Sequence, residues 1–207
     1  MVSPVRLAAR QGSLFGGLEP EVDASFGAAD RLALDECSWV EVARGWLSGA
    51  DVVFDELLDR LPLRQRTDVR MFDRLVDEPR LSAWWHVDAG RPEPLGLLAE
   101  MRELLSARYG EAFDSIGFNL YRDGNDSVAW HGDRHRHVVV DPIVAIVSVG
   151  SPRPLKLRAR GGGPSRSWSL GHGDLFVMGG ACQHDWEHTV PKVRHAGPRL
   201  SITFRNV

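Results

Sequence analysis

From residue 116 onward the chain is a succession of short β-rich runs separated by turn clusters. They are Ile116–Tyr121 before Asp123-Gly124-Asn125-Asp126, Val128–His131, Ile143–Val149 before Gly150-Ser151-Pro152, Leu155–Leu157 before Gly161–Pro164, Leu175–Met178 before Gly179-Gly180, and Leu200–Phe204. Runs this short and this closely spaced predict an antiparallel sandwich or barrel. Two amphipathic stretches precede them. Asp51 can cap a helix that carries Val52, Phe54, Leu57, Leu58 and Leu61 and is stopped by Pro62. A second helix begins near Pro94, presents Leu97, Leu98, Met101, Leu104 and Leu105, and ends at Tyr109-Gly110. The expected fold class is therefore α+β, with supporting helices first and a β-barrel-like unit behind them. Residues 1–30 have little periodicity and read as a flexible tail. Residues 31–207 read as one domain, with helical support over 31–115 and strands over 116–207.

Composition narrows the functional classes. The chain is 43% hydrophobic and 26% charged, enough for a sizeable core and too apolar for wholesale disorder. No apolar run approaches the roughly 20 residues that span a bilayer, and the N-terminus lacks the apolar segment of a secretory signal. Cys37 and Cys182 are the two cysteines, too few for a disulfide framework or a cysteine-based zinc site. A reduced, cytoplasmic protein is the expectation. The net charge is −3, but residues 1–150 carry 16 basic and 25 acidic side chains while residues 151–207 carry 9 and 3. Such asymmetry points to a face that meets anions, or to two halves that neutralise each other.

The chemistry-bearing residues lie among the strands. His131-Gly132-Asp133 follows a strand-like run, and residues i and i+2 of a strand share a face. An imidazole and a carboxylate thus converge, and a third ligand would complete a 2-His-1-carboxylate triad of the kind that leaves positions open on non-haem Fe(II). Histidines 135, 137, 172, 184, 188 and 195 are available downstream. At the C-terminus, Arg199, Ser201, Thr203 and Arg205 share one strand face, and Leu200, Ile202 and Phe204 share the other. Two guanidinium groups on a buried face need anions, and a dicarboxylate suits their bidentate geometry. An edge strand with a solvated polar face fits the alternation equally well. Asn119 and Tyr121 likewise share a face.

In order, Phe118–Gly124, Trp130–Asp133, Val147–Gly150, Gly173–Gly180, Gln183–Pro191 and Arg199–Arg205 resemble the motifs of the AlkB family, over about residues 75–207. Members are Fe(II)- and 2-oxoglutarate-dependent dioxygenases that repair alkylated nucleic acid, on a double-stranded β-helix, or jelly-roll, core. The resemblance implies Fe(II), 2-oxoglutarate and O₂ as cofactors. It implies oxidative demethylation of bases of the 1-methyladenine or 3-methylcytosine type in DNA, releasing formaldehyde, succinate and CO₂. An RNA or protein demethylase or hydroxylase of the same family, or an inactive jelly-roll binding module, are the alternatives. The resemblance makes His131, Asp133 and His188 the metal ligands, with His188 chosen over His184 because it precedes Thr189-Val190-Pro191. It makes Asn119, Tyr121, Arg199, Thr203 and Arg205 the 2-oxoglutarate contacts, with Ser201 a weaker candidate.

The segment Pro79–Trp85 resembles the family's nucleotide-recognition lid. Arg80 is expected to contact substrate, and one of Trp84 and Trp85 to stack on an extruded base while the other packs. Trp85 is the slightly favoured stacking residue, with His131 forming the opposite wall. His135 occupies a position where many members carry an acidic residue that contacts the base. Arg134, Arg136, Arg153, Arg158 and Arg160 are expected to meet the nucleic-acid backbone. Gln11-Gly12-Ser13-Leu14-Phe15 resembles the pentapeptide that docks bacterial repair proteins on the sliding clamp, making Gln11, Leu14 and Phe15 partner contacts. A monomer without membrane attachment is expected.

Overall fold

The segment Val144–Gly150 is buried along its entire length, and that dictates the layering: a strand with no exposed residue is covered on both faces. The computed structural model describes residues 19–71, 74–133 and 141–206. Before the second helix the chain forms β1 (Glu21–Val22), β2 (Ala29–Ala33), β3 (Ser38–Ala43), β4 (Leu47–Ser48), α1 (Ala50–Arg60), β5 (Val69–Met71), β6 (Arg74–Val76) and β7 (Leu81–His86). Then follow α2 (Gly96–Tyr109), β8 (Ser115–Tyr121), β9 (Val128–His131), β10 (Val144–Gly150), β11 (Arg153–Ala159) and β12 (Ser165–Leu170). The chain closes with β13 (Asp174–Gly180), α3 (Cys182–Asp185), β14 (Trp186–Val190) and β15 (Arg199–Arg205).

Seven strands form one antiparallel sheet in the order β2-β3-β13-β10-β15-β8-β7, and four form a second in the order β12-β11-β14-β9. One apolar cluster lies between the large sheet and the helices, where Val53, Phe54 and Leu57 of α1 and Leu98, Met101 and Leu105 of α2 meet Val147, Ile202 and Phe204. Each such side chain contributes roughly 1.5–3 kcal/mol by leaving water. A second cluster lies between the sheets, where Val144, Ile146 and Phe176 meet Leu155, Leu157 and Leu170. The sheet sandwich expected from the strand pattern is present, in the double-stranded β-helix arrangement that the family resemblance implies.

Three features differ from expectation. Residues 19–30 do not form a tail: β1 pairs with β4, and Phe26 is buried against Trp46, with ring centroids 5.6 Å apart. Residues 31–115 are not chiefly helical support, because β2, β3 and β7 extend the large sheet at both ends. Asp51 is not the cap of α1; Gly49 holds that position in the left-handed region (φ 60°) with no side-chain cap bond. The Asp51 carboxylate instead meets His172 Nε2 at 2.9 Å. Among the described residues, no helix is long and apolar enough to cross a membrane.

Candidate active site

Strand pairing assembles the site. His188 on β14 is the register partner of His131 at the end of β9, and their rings lie 4.2 Å apart, centre to centre. Asp133 follows two residues later. The ligand atoms of His131, Asp133 and His188 all lie within 4.8 Å of one another, and this is a group that could hold a metal ion. Gly132 fits between the two ligands because a Cβ there would stand 2.7 Å from Arg160 Nη2 and 3.0 Å from the Gln183 carbonyl.

The donor atoms are prepared for a cation. His131 Nδ1 lies 2.8 Å from the Ala129 carbonyl. A carbonyl only accepts, so Nδ1 carries a proton, and in the neutral ring Nε2 is the nitrogen left to bind a cation. His188 is buried, and burial, with the neighbouring His131 and Arg205, pushes its imidazole down to about 3 although Asp133 pulls the other way. It is therefore neutral near pH 7. The Asp133 backbone N–H donates to Gln183 Oε1 at 3.4 Å, and its Oδ2 meets Arg205 Nη2 at 3.1 Å.

Beside the triad is a cavity of about 180 Å³ whose lining includes Asn119, Tyr121, Ser201, Thr203, Arg199 and Arg205. These side chains come from the inner face of β8 and β15. The solvated-edge alternative for the C-terminal strand is excluded, since β15 lies between β10 and β8. Arg199 is 1% exposed. Its Nε donates to Ser148 Oγ at 2.8 Å, and its guanidinium carbon lies 5.4 Å from the centre of the Tyr121 ring. Burial brings Arg199 down to about 10, with Tyr121 opposing and the like charge of Arg153 assisting the fall. Burial raises the Tyr121 phenol, against the pull of Arg199, Arg80, Arg153 and Arg205. Arg199 Nη1 and Arg205 Nε are buried without a hydrogen-bond partner among the described residues. Unpaired guanidinium donors around a cavity fit an anionic occupant.

The cavity shares Arg80, Val128 and His131 with a groove of about 1040 Å³, bounded by residues 76–80 on one side and by β9 and residues 189–192 on the other. Arg80 bridges the two, its Nε donating to Asn119 Oδ1 at 3.0 Å and its Nη2 meeting Glu78 at 3.1 Å.

Several expected site residues are placed elsewhere. Trp85 is not a stacking residue. It is 4% exposed in the helix-side core, and its indole N–H donates to the Arg91 and Pro92 carbonyls. Alternation along β7 puts Trp84 on the cavity side instead, 50% exposed, over Gly117 and 5.2 Å from the Arg205 guanidinium carbon. His184 is exposed on α3, away from the triad. Arg153 is not a surface cation but is 1% exposed. Arg158 pairs with Glu187 and lies 4.2 Å over the Trp130 ring, and Arg160 donates to the Gln183 and His184 carbonyls. His135, Arg134, Arg136, Gln11, Leu14 and Phe15 lie outside the described residues. Sequence reasoning missed the roles of Gln183 and Ser148; Ser148 carries a signal, the single polar side chain of an apolar run.

Residues 85–205 match the family model described as the 2OG-Fe(II) oxygenase superfamily. The chain belongs to that superfamily. The oxygenase is 33% identical over 180 residues to the alpha-ketoglutarate-dependent dioxygenase alkB homolog 3 of Bos taurus, covering 78% of this chain and 63% of the relative. It is 29% identical over 180 residues to the Homo sapiens DNA oxidative demethylase ALKBH2, covering 76% and 69%. These relatives agree with the AlkB resemblance in the motifs. The matched region is less than two thirds of the length of alkB homolog 3. Among solved structures, OsALKBH1 superposes with a TM-score of 0.59 at 12% identity, over 81% of this chain and 97% of that one. A 2OG-Fe(II) oxygenase-family protein from Burkholderia pseudomallei gives 0.56 at 14%, over 86% and 84%. At these identities the likeness is one of fold. The superfamily implies Fe(II), 2-oxoglutarate and O₂, and the triad with its arginine-lined cavity fits them.

Proposed function

We propose that the oxygenase demethylates N-alkylated bases of the 1-methyladenine or 3-methylcytosine type in DNA. The observation that carries this reading is the wall at His131, shared between an arginine-lined cavity and a groove large enough for a flat base on a strand. The names of the relatives, alkB homolog 3 and DNA oxidative demethylase, support the same substrate class.

In this reading His131, Asp133 and His188 hold Fe(II), and Arg199, Arg205, Asn119, Tyr121 and Thr203 hold 2-oxoglutarate, with Ser201 hydrogen-bonded to Thr203 at 3.2 Å. With O₂, that pair supplies oxidation of the N-methyl carbon, giving formaldehyde and the restored base as 2-oxoglutarate becomes succinate and CO₂. The protein's part is placement and exclusion of water. Arg205 holds the Asp133 carboxylate in place, and Gln183 fixes the backbone beside it. Trp84 offers an exposed aromatic face to an extruded base.

Formaldehyde release from methylated oligonucleotides with Fe(II) and 2-oxoglutarate tests the reading, with single- and double-stranded DNA and RNA run side by side. Release from methylated DNA that His131→Ala abolishes is the expected result. Release from RNA alone would transfer the assignment to RNA, and no release from any substrate would remove it. The pentapeptide at residues 11–15 is proposed to tether the enzyme to a sliding clamp. Absence of any shift with purified clamp at micromolar concentration would dispose of that tether.

A further inference from the structure

We propose that Arg153 is a positioning residue of the 2-oxoglutarate pocket, acting through Tyr121 on an occupant it does not touch. This rests on the cosubstrate assignment above. Arg153 opens β11 and lies outside the lining of the 180 Å³ cavity. Its Nη1 donates to the Asp123 carbonyl at 2.8 Å, and its Nη2 to the Asp126 and Pro191 carbonyls at 2.7 and 2.9 Å. Those carbonyls belong to two segments. Asp123 and Asp126 follow β8, which carries Asn119 and Tyr121. Pro191 comes three residues after His188. One planar, rigid fork therefore ties the exit of the strand bearing the cosubstrate donors to the exit of the strand bearing a metal ligand.

Its guanidinium carbon also lies 5.4 Å from the Tyr121 ring centre, the same distance as that of Arg199. Two buried cations thus hold one phenol that faces the cavity.

Its charge is the second argument. Asp126 stands nearby, but Arg122 occupies that carboxylate through Nε, Nη2 and its backbone N–H. Among the described residues Arg153 makes no ion pair, and its Nε has no hydrogen-bond partner. Asp126 and Asp123 act on it only through space, and a buried cation without a directly paired counter-charge is costly. Beyond Tyr121 lies the cavity lined by Arg199 and Arg205, where a dicarboxylate adds negative charge on the side away from those two carboxylates. Arg153 thereby favours a dianion and keeps the ring that meets it in place.

The test is calorimetric titration of the full chain, loaded with Mn(II) to prevent turnover, with 2-oxoglutarate. Arg153→Met should weaken binding by about tenfold or more, and Arg153→Lys should fall between, since it keeps the charge and loses the fork. Mn(II) affinity without 2-oxoglutarate should change less than about threefold, because β-pairing to Leu157 and His131 holds His188 independently. Folded variants that bind 2-oxoglutarate as the parent does would overturn the proposal, even with a lowered melting temperature. So would failure of both variants to fold, which would make Arg153 a stability element. A parent protein that does not bind 2-oxoglutarate would instead bring down the cosubstrate assignment itself.

Discussion

The metal centre depends on a residue that carries no chemistry of its own. Gly132 leaves room for Arg160 Nη2 and the Gln183 carbonyl beside the ligand segment. Gly132→Ala is expected to destabilise the fold by about 1–3 kcal/mol through overpacking and to weaken Mn(II) binding by shifting Asp133. A denaturant melt and a metal titration check both effects; unchanged metal affinity would show that the neighbours yield and the ligands do not. The adjacent tryptophans make a sharper contrast. Trp85→Ala should cost about 3–5 kcal/mol as a core deletion. Trp84→Ala should leave the melt within about 1 kcal/mol and raise KM for methylated oligonucleotide. Equal losses of stability would refute the division. From sequence, alternation requires that the pair point to opposite sides. Which side faces the cavity depends on the pairing of β7 with β8, which sets Trp84 opposite Gly117.

At the scale of elements, β3, β2 and α2 are joined at Glu41. That side chain is buried yet accepts hydrogen bonds from Arg31, Arg108 and Tyr109. Burial works against its charge, but those three donors outweigh it and hold the carboxyl below the usual range. A carboxyl with a depressed folded pKa contributes stability above its unfolded value and loses it as the pH falls through the folded one. Stability should therefore decline below about pH 4.3, and Glu41→Gln should show a flatter acid limb and a lower plateau near neutrality. Urea melts across the acid range test this; parallel limbs for the two proteins would contradict it. The strands with apolar runs or alternation, β8, β9, β10, β11, β13 and β15, were legible within about two residues at each end. Others were not. In β12, Ser-Arg-Ser-Trp-Ser-Leu has too few apolar positions to stand out, and its pairing with β11 supplies what its own sequence lacks. In β2 all but the first residue are exposed, so only the edge of β3 defines it.

For the whole molecule, charge is a poor guide to the partner. Part of the basic excess of residues 151–207 is already committed: Arg153 and Arg199 are buried, Arg205 holds Asp133 and Arg158 holds Glu187, while Arg160 and Arg166 stay at the surface with donors spent on backbone carbonyls. The groove lining mixes Arg80 and Lys192 with Asp77 and Glu78, and Arg80 is paired with Glu78. Binding to single-stranded DNA should consequently show a shallow salt slope, about −2 for three phosphates neutralised or fewer. Anisotropy titrations from low to physiological salt measure it, and a slope near −5 would place a larger basic surface on the molecule.

The sequence by itself determined the β-rich class, the closeness of His131 to Asp133 two residues on, and the two arginines on one face of β15, because such spacing is local. The motif resemblance singled out His188, but only tertiary structure brought it beside His131 and Asp133, put the polar face of β15 in the interior and buried Arg153. These are facts of strand neighbours and sheet stacking, and each joins segments tens of residues apart whose pairing no local pattern encodes.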